Sequence, residues 1–249
     1  MLRLDCAAEG DWSFHGAFAG TPEGAYRDGS FDTQDGINLG DTVNFYAPQA
    51  LGPGNPNTWY FGSDKLYRTT DRADTAIVAS QLLEPGVPIS AIAISPQDDN
   101  VRVVGLNNGR VFATRTGSNA LVQIAGPGAT NGTNSTPALP VGRIAIDPNN
   151  SSVGYLCFSR YGFPGASEQV WKTANLNEAF VEFTPASRGL PGVPVNAIAI
   201  DPVTAANGAS TDVYVGTDIG VYYSADGGGF WTSPVAPREY LHALQSRTR

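Results

Sequence analysis

The sequence is poor in charge, in lysine and in the long apolar runs from which helices and membrane spans are built. Only 15% of its 249 residues are charged, lysine occurs just at Lys65 and Lys172, and the formal net charge is −8. A protein that grips a phosphate backbone or an anionic bilayer needs clustered Lys and Arg, so nucleic acid is excluded as a principal partner. No stretch nears the roughly 18 apolar residues of a membrane span, and no membrane insertion is expected. The opening residues MLRLDC lack the apolar core of a secretory signal, so no signal peptide is expected in this chain. Nor does any apolar run show a 3.6-residue period.

Catalytic and metal-binding motifs are equally scarce. Cys6 and Cys157 have neither metal-ligand spacing nor the density of a disulfide framework, and two buried free thiols are expected. The two histidines, His15 and His242, stand in no Ser-His-Asp order and no HExxH spacing. Asp28, Asp32, Asp35 and Asp41 gather among Gly and Asn, but without the glycine and terminal glutamate of an EF-hand loop. No cofactor and no metal is therefore expected.

What is present is a repeat. Ala91-Ile-Ala-Ile-Ser-Pro96, Arg143-Ile-Ala-Ile-Asp-Pro148 and Ala197-Ile-Ala-Ile-Asp-Pro202 recur 52 to 54 residues apart. Each reads as an Ile-rich strand stopped by a proline that cannot continue a ladder. A second apolar run follows each, at Val101–Gly105, Val153–Cys157 and Val213–Gly216. Third strands then stack in register as Leu66-Tyr-Arg-Thr69, Val111-Phe-Ala-Thr114, Val170-Trp-Lys-Thr173 and Val221-Tyr-Tyr-Ser224. Gly20 to Tyr26 aligns with Gly216 to Tyr222, which adds a first unit with its inner strand at Leu2–Asp5. The hydroxyl column and its first-unit counterpart, Asp28, recur at intervals of 41, 45, 59 and 51 residues.

A period of about 40 to 60 residues holding four short strands is that of propeller blades rather than of a helical solenoid. The expected fold is an all-β propeller of five blades, each of four antiparallel strands, forming one domain over 1–249. Its repeats run approximately 1–43, 44–88, 89–140, 141–194 and 195–249. Tyr240 to Ser246 resembles Val195 to Asp201 and is expected to pair with the first blade, closing the ring and removing exposed edges. A closed ring is expected to be a monomer. The Gly-, Asn- and Pro-rich run 126–140 reads as a long mobile connection.

The last repeat holds Ser224-Ala-Asp226-Gly-Gly228-Gly-Phe-Trp231, the pattern S-x-D-x-G-x-x-W. It resembles the Asp box (BNR repeat) of the sialidase-like, sortilin-type and bacterial xyloglucanase-like propellers. Eroded versions stand at Thr69-x-Asp71, Thr114-x-Thr116 and Thr173-x-Asn175. The residue types have a local reason: a short carboxylate and a hydroxyl satisfy backbone N–H groups in a tight turn, glycine permits a left-handed backbone, and tryptophan packs between blades with its N–H bonded. Ser224, Asp226, Gly228 and Trp231 are thus read as structural. The resemblance implies that the box lies opposite the ligand face, and it implies an extracellular or periplasmic location of bacterial type. Arg27, Arg68, Arg110 and Arg160 fall near third strands without a sialidase motif, so no sialidase catalytic residue is carried over.

In propellers, the loops from second to third strand and from blade to blade share one face, where ligands bind around the central channel. Here those loops carry Glu23, Asp64, Asn107, Asn108, the long Ser159–Gln169 segment and Asp218. A loop that departs from its own repeat is a candidate for function, and Ser159–Gln169 brings Arg160, Tyr161, Phe163 and Glu168. The expected ligand contacts are Asn108, Arg160, Tyr161, Glu168 and Asp218, with a carbohydrate or a protein segment as partner. The alternative is a glycoside hydrolase, which needs two carboxylates about 5 to 10 Å apart, with Glu23, Asp64, Glu168 and Asp218 as candidates.

Overall fold

The computed structural model describes residues 36–38, 40–72, 75–161 and 168–233, together with the backbone of four short strands before them. Those four are β1 (Arg3–Cys6), β2 (Trp12–His15), β3 (Tyr26–Arg27) and β4 (Ser30–Phe31), paired antiparallel as β1 with β2 and β3 with β4. Glu23, Phe163, Asp28, Asp32, Asp35, His242 and the segment 240–246 lie outside the described residues.

Three four-stranded antiparallel meanders follow, each in sequence order. The first holds β5 (Gln49–Leu51), β6 (Trp59–Gly62), β7 (Leu66–Thr69) and β8 (Ile77–Val78). The second holds β9 (Ile89–Ile94), β10 (Arg102–Leu106), β11 (Val111–Thr114) and β12 (Val122–Ala125). The third holds β13 (Val141–Ile146), β14 (Gly154–Phe158), β15 (Val170–Thr173) and β16 (Thr184–Pro185). The last repeat joins β17 (Val195–Ile200) to β20 (Val213–Thr217) and β21 (Gly220–Ser224), with Thr232 bridging Tyr223 in the fourth position. Between β17 and β20 the chain inserts a hairpin of β18 (Ala205–Ala206) and β19 (Ala209–Ser210).

The sheets stack face to face through their inner strands, β5 on β9, β9 on β13 and β13 on β17. Apolar residues fill the three junctions. Tyr60 and Leu66 pack with Ile89, Ile92 and Val104. Ala91, Val103 and Val111 pack with Val141, Ile144 and Leu156, and Tyr155, Cys157 and Val170 pack with Val195, Val213 and Trp231. Burial on both faces explains why the strands read as near-continuous aliphatic runs instead of alternating with polar residues. Fully burying each such side chain contributes roughly 1.5–3 kcal/mol.

The serine or aspartate before each strand-ending proline has a specific task. Asp147 accepts the N–H of Asn149 at 2.7 Å and Asp201 that of Val203 at 2.8 Å, while Ser95 Oγ accepts from Gln97 at 3.3 Å. Each forms the side-chain turn that reverses the inner strand.

The run 126–140 differs from its expectation as a mobile connection. Thr133 donates its N–H to Val181 O and its hydroxyl to Phe183 O, and Gly126 N–H bonds Thr133 O. Thr136 and Ala129 are buried. Its backbone thus continues the hydrogen-bond ladder between two sheets. Gly132 is required there because a Cβ would lie 1.8 Å from the carbonyl oxygen of Ile124.

Candidate functional site

The hairpins β6–β7, β10–β11, β14–β15 and β20–β21 gather at the end where the inner strands begin. Ile89 N–H bonds Ser63 O, and Asn107 N–H bonds Pro88 O. The proline turns and the third-to-fourth turns lie at the opposite end, linked by Gln97 to Pro148 O and Asn149 to Pro202 O.

On the hairpin end, two of the predicted residues meet across the junction of the third and last sheets. Tyr161 donates its hydroxyl to Asp218 Oδ2 at 2.6 Å, and Asn196 Nδ2 donates to Asp218 Oδ1 at 2.7 Å. Ser159 Oγ donates to Asn196 Oδ1 at 2.9 Å, which completes a four-residue chain. The Asp218 carboxylate beside it raises the Tyr161 phenol pKa above its ordinary value, through the hydrogen bond and then through charge. The Tyr161 ring nevertheless stays 70% exposed. On the same loop Arg160 Nη1 pairs with Glu168 Oε2 at 2.8 Å, and Trp171 Nε1 bonds the carbonyl of Glu168, fixing the loop's return to β15.

The first two meanders hold a second polar group. Asn108 Nδ2 donates to Glu84 Oε2 at 2.7 Å, and Arg110 Nη1 reaches the same oxygen at 3.0 Å. Asp64 is buried rather than displayed: one oxygen accepts the N–H of Thr42 at 3.3 Å, while Oδ1 has no partner. Beside it Asp41 accepts from Lys65 Nζ and Tyr67 Oη, each at 2.6 Å, and from Ser63 Oγ at 3.0 Å. Burial works to raise the Asp41 pKa, but these donors outweigh it and hold the carboxyl below its usual range. Burial and the bond to Asp41 push Tyr67 up to about 12.

At the opposite end, Ser224 Oγ donates to Asp226 Oδ1 at 2.6 Å and accepts the N–H of Gly228 at 2.8 Å. Asp226 Oδ1 also accepts from Gly229 and Phe230 N–H, at 2.8 and 3.0 Å. Gly227 and Gly228 adopt φ of 68° and 92°, and Trp231, 1% exposed, bonds Ala186 O at 2.7 Å. Thr69 repeats the hydroxyl-to-carboxylate bond with Asp71, and Thr173 makes the matching bond to the amide oxygen of Asn175 at 2.8 Å.

Between the inner strands lies a cavity of about 300 Å³ lined by Leu51, Ile92, Ile94, Ile144, Ile146 and Ile200. The side chains of this wall are aliphatic. Among the described residues no three His, Cys, Asp or Glu side chains converge as a metal site would require, and no helix is long and apolar enough to cross a membrane.

Three solved structures share this architecture. The GH74 xyloglucanase of Xanthomonas campestris superposes on 79% of the chain with a TM-score of 0.57 at 16% identity. A GH74 enzyme of Niastella koreensis superposes on 79% with 0.56 at 18%. An ancestral GH74 enzyme superposes on 89% with 0.53 at 18%. The chain spans only 31%, 30% and 26% of those proteins' lengths. At such identities the likeness establishes the fold alone, that of a β-propeller, of which each meander is a blade. No protein-family model matches the sequence, and the search of curated proteins finds no match.

Sequence reasoning did not single out Ser159 or Asn196 as part of the network. Asn196 occupies the same place on its inner strand as Ser90 and Gly142, a column whose polarity varies beside the blade-to-blade loop. That variation within an otherwise aliphatic strand was the available signal. Asp41 was read only as one of a loose acidic group, and its partner Lys65 had no motif to mark it.

Proposed function

We propose that this chain is a ligand-binding propeller that recognises a glycan or a protein segment on its hairpin face, centred on Tyr161, Asp218 and Asn196, with Arg160, Glu168 and Asn108 on the same face. The supporting observation is an aromatic ring, 70% exposed, whose hydroxyl is held by a carboxylate of the neighbouring blade. A ring fixed at its polar tip offers an apolar face without losing side-chain freedom on binding, and the acceptors and donors around it suit hydroxyl or amide groups.

The carboxylates support binding over hydrolysis. Glu168 is paired with Arg160, and Asp218 accepts two hydrogen bonds in an exposed setting. Neither is desolvated as a general acid must be. Asp64 is the one observation favouring a hydrolase, since it is buried with a carboxylate oxygen lacking a partner. Glu23 would be its companion candidate. A glycan array and peptide pull-down test the binding reading. Assays on polysaccharides and aryl glycosides, repeated with Asp64→Asn, Glu168→Gln and Asp218→Asn, test the other. Turnover abolished by one of these changes would replace binding by hydrolysis.

The proposal includes the finer architecture: five blades at approximately 1–43, 44–88, 89–140, 141–194 and 195–249, a monomeric ring closed by the C-terminal segment, and membership of the Asp-box group. The turn at Ser224 to Trp231 supports that membership through its hydrogen bonds. An extracellular or periplasmic location follows from the same group. Size-exclusion chromatography tests the ring, because an open edge should self-associate.

A further inference from the structure

Two large aromatic side chains stand outside the fold on a loop that the fold holds firmly. Phe45 is 87% exposed and Tyr46 85%. Rings of this size ordinarily fill cores. In the segment 41–48, however, it is the smaller Val43 and Ala47 that pack against the cluster of Trp59, Phe61 and Tyr67.

The loop is anchored on both sides of the pair. Asp41 accepts hydrogen bonds from Ser63, Lys65 and Tyr67, and Thr42 N–H bonds Asp64. Asn44 donates to Ile89 O and accepts from Asn107 Nδ2, while Pro48 O accepts the N–H of Gly62. These contacts reach the hairpins β6–β7 and β10–β11, so the loop lies on the hairpin end, across the seam of the first two meanders. Its backbone is fixed before any partner arrives, which lowers the cost of binding.

Geometry and charge select the partner. The ring centroids are 4.8 Å apart and the planes stand at 87°. A group seated in the corner between perpendicular rings meets a face of each, and the faces are the negative part of the aromatic quadrupole. The charge around the loop has the same sign. Among the described residues, Asp41 and Asp64 share their cluster with one cation, Lys65, and one oxygen of Asp64 has no hydrogen-bond partner. Thr42, bonded to Asp64, is three residues from Phe45, at most about 11 Å along the chain, a distance comparable to the screening length of about 10 Å in 0.1 M salt. Asn44, next to the pair, is engaged through both atoms of its amide, which leaves it poorly placed to serve sugar hydroxyls. A cation over a ring face needs no such partner.

We infer that the Phe45–Tyr46 corner receives the side chain of a lysine or arginine in a basic protein segment. An open corner covers a cation on two sides only, so a free ammonium ion would keep most of its water, whereas a side chain is held there by the other contacts of its segment. The inference rests on the protein-segment reading of the hairpin face and deepens it.

The test is a peptide array probed with the full chain, in which otherwise identical peptides carry Lys, Arg, acetyl-lysine or Leu at one position. The wild type should hold the Lys and Arg peptides about threefold or more tightly than the acetyl-lysine peptide. Phe45→Leu combined with Tyr46→Leu keeps apolar bulk, removes the ring faces and should abolish that preference. Equal binding of lysine and acetyl-lysine, strongest binding of the Leu peptide, no binding of basic peptides, or a preference that survives the double substitution would each overturn the inference. So would a double variant that loses a neutral glycan instead. The wild-type comparison stands even if the variant fails to fold. Tyr161→Ala on the same array separates the two sites: binding lost there but kept in the double variant overturns the corner and leaves the Tyr161 site, and the reverse pattern supports the corner while removing the Tyr161 site.

Discussion

Tyr161 donates its hydroxyl hydrogen bond to Asp218 Oδ2 at 2.6 Å across the seam between two blades, so the longest hairpin loop is tethered to the shortest one beside it. The tether has a defined pH range. Asp218 raises the folded pKa of Tyr161 above 10.0, so the bond's contribution is complete below that value and fades as pH climbs through the folded pKa. Phenolate absorbance should show one tyrosine that titrates earlier when Asp218→Asn removes the charge. An unchanged titration would mean that the two groups do not touch.

Acid should act at the other end of the molecule. Burial works to raise the Asp71 pKa, but its bonds from Thr69 and Thr75 bring it down to about 2, and Ser224 and backbone N–H groups lower Asp226. A depressed folded pKa gives stability that is present above the unfolded value near 3.8 and is lost as pH falls toward the folded one. Melting midpoints should therefore drop between pH 4 and about 2. Asp71→Asn should flatten part of that drop, which scanning calorimetry across the window would register. Asp226 is exposed and Asp71 only partly buried, so the effect of each is small.

Packing at the last junction predicts a larger loss. Trp231→Ala removes a side chain 1% exposed and its bond to Ala186, and should cost about 3–5 kcal/mol. Gly105→Ala forces a Cβ within 2.5 Å of Val141 and should cost about 1–3 kcal/mol. Urea unfolding of each variant gives both values, and a cost near zero for either would contradict the stacking.

Cys157 serves as an internal reporter. Burial pushes its thiol up to about 12, with Arg143 only partly opposing, and the side chain is fully enclosed. Alkylation of this residue at neutral pH should be undetectable in the folded protein and should rise in step with unfolding. Rapid labelling without loss of structure would show that the junction between the third and last blades opens.

The strand plan was legible because it is repetitive: the Ile-Ala-Ile stretches ending at Pro96, Pro148 and Pro202 are β9, β13 and β17 within two residues. Long-range hydrogen bonding was not legible. The run 126–140 is polar and Gly-rich, as a free loop would be, and only its pairing with Val181 and Phe183 shows it to be fixed. The hairpin at 205–210 carries an Asn207-Gly208 turn, a local signal. Its anchor, Asp147 bonded to Ser210 of the next blade, has no trace in spacing.

The site was legible in part for the same reason. Repeat alignment brought Tyr161, Glu168 and Asp218 to one face, since topology alone decides that. It did not show that Asp64 turns inward or that Asn196 joins Asp218 to Ser159, because those depend on side-chain direction at blade seams. An alignment of repeats assigns residues to ends of strands and is silent on what lies across the gap.

The central claim is that recognition occurs at the seam of Tyr161 and Asp218. The direct measurement is calorimetric titration of the strongest glycan or peptide found by array, using wild type, Tyr161→Ala, and Asp71→Asn as a control on the opposite end. The account predicts that Tyr161→Ala weakens binding by about tenfold or more while Asp71→Asn leaves it unchanged. Equal affinity in all three proteins, or loss only in Asp71→Asn, would contradict it.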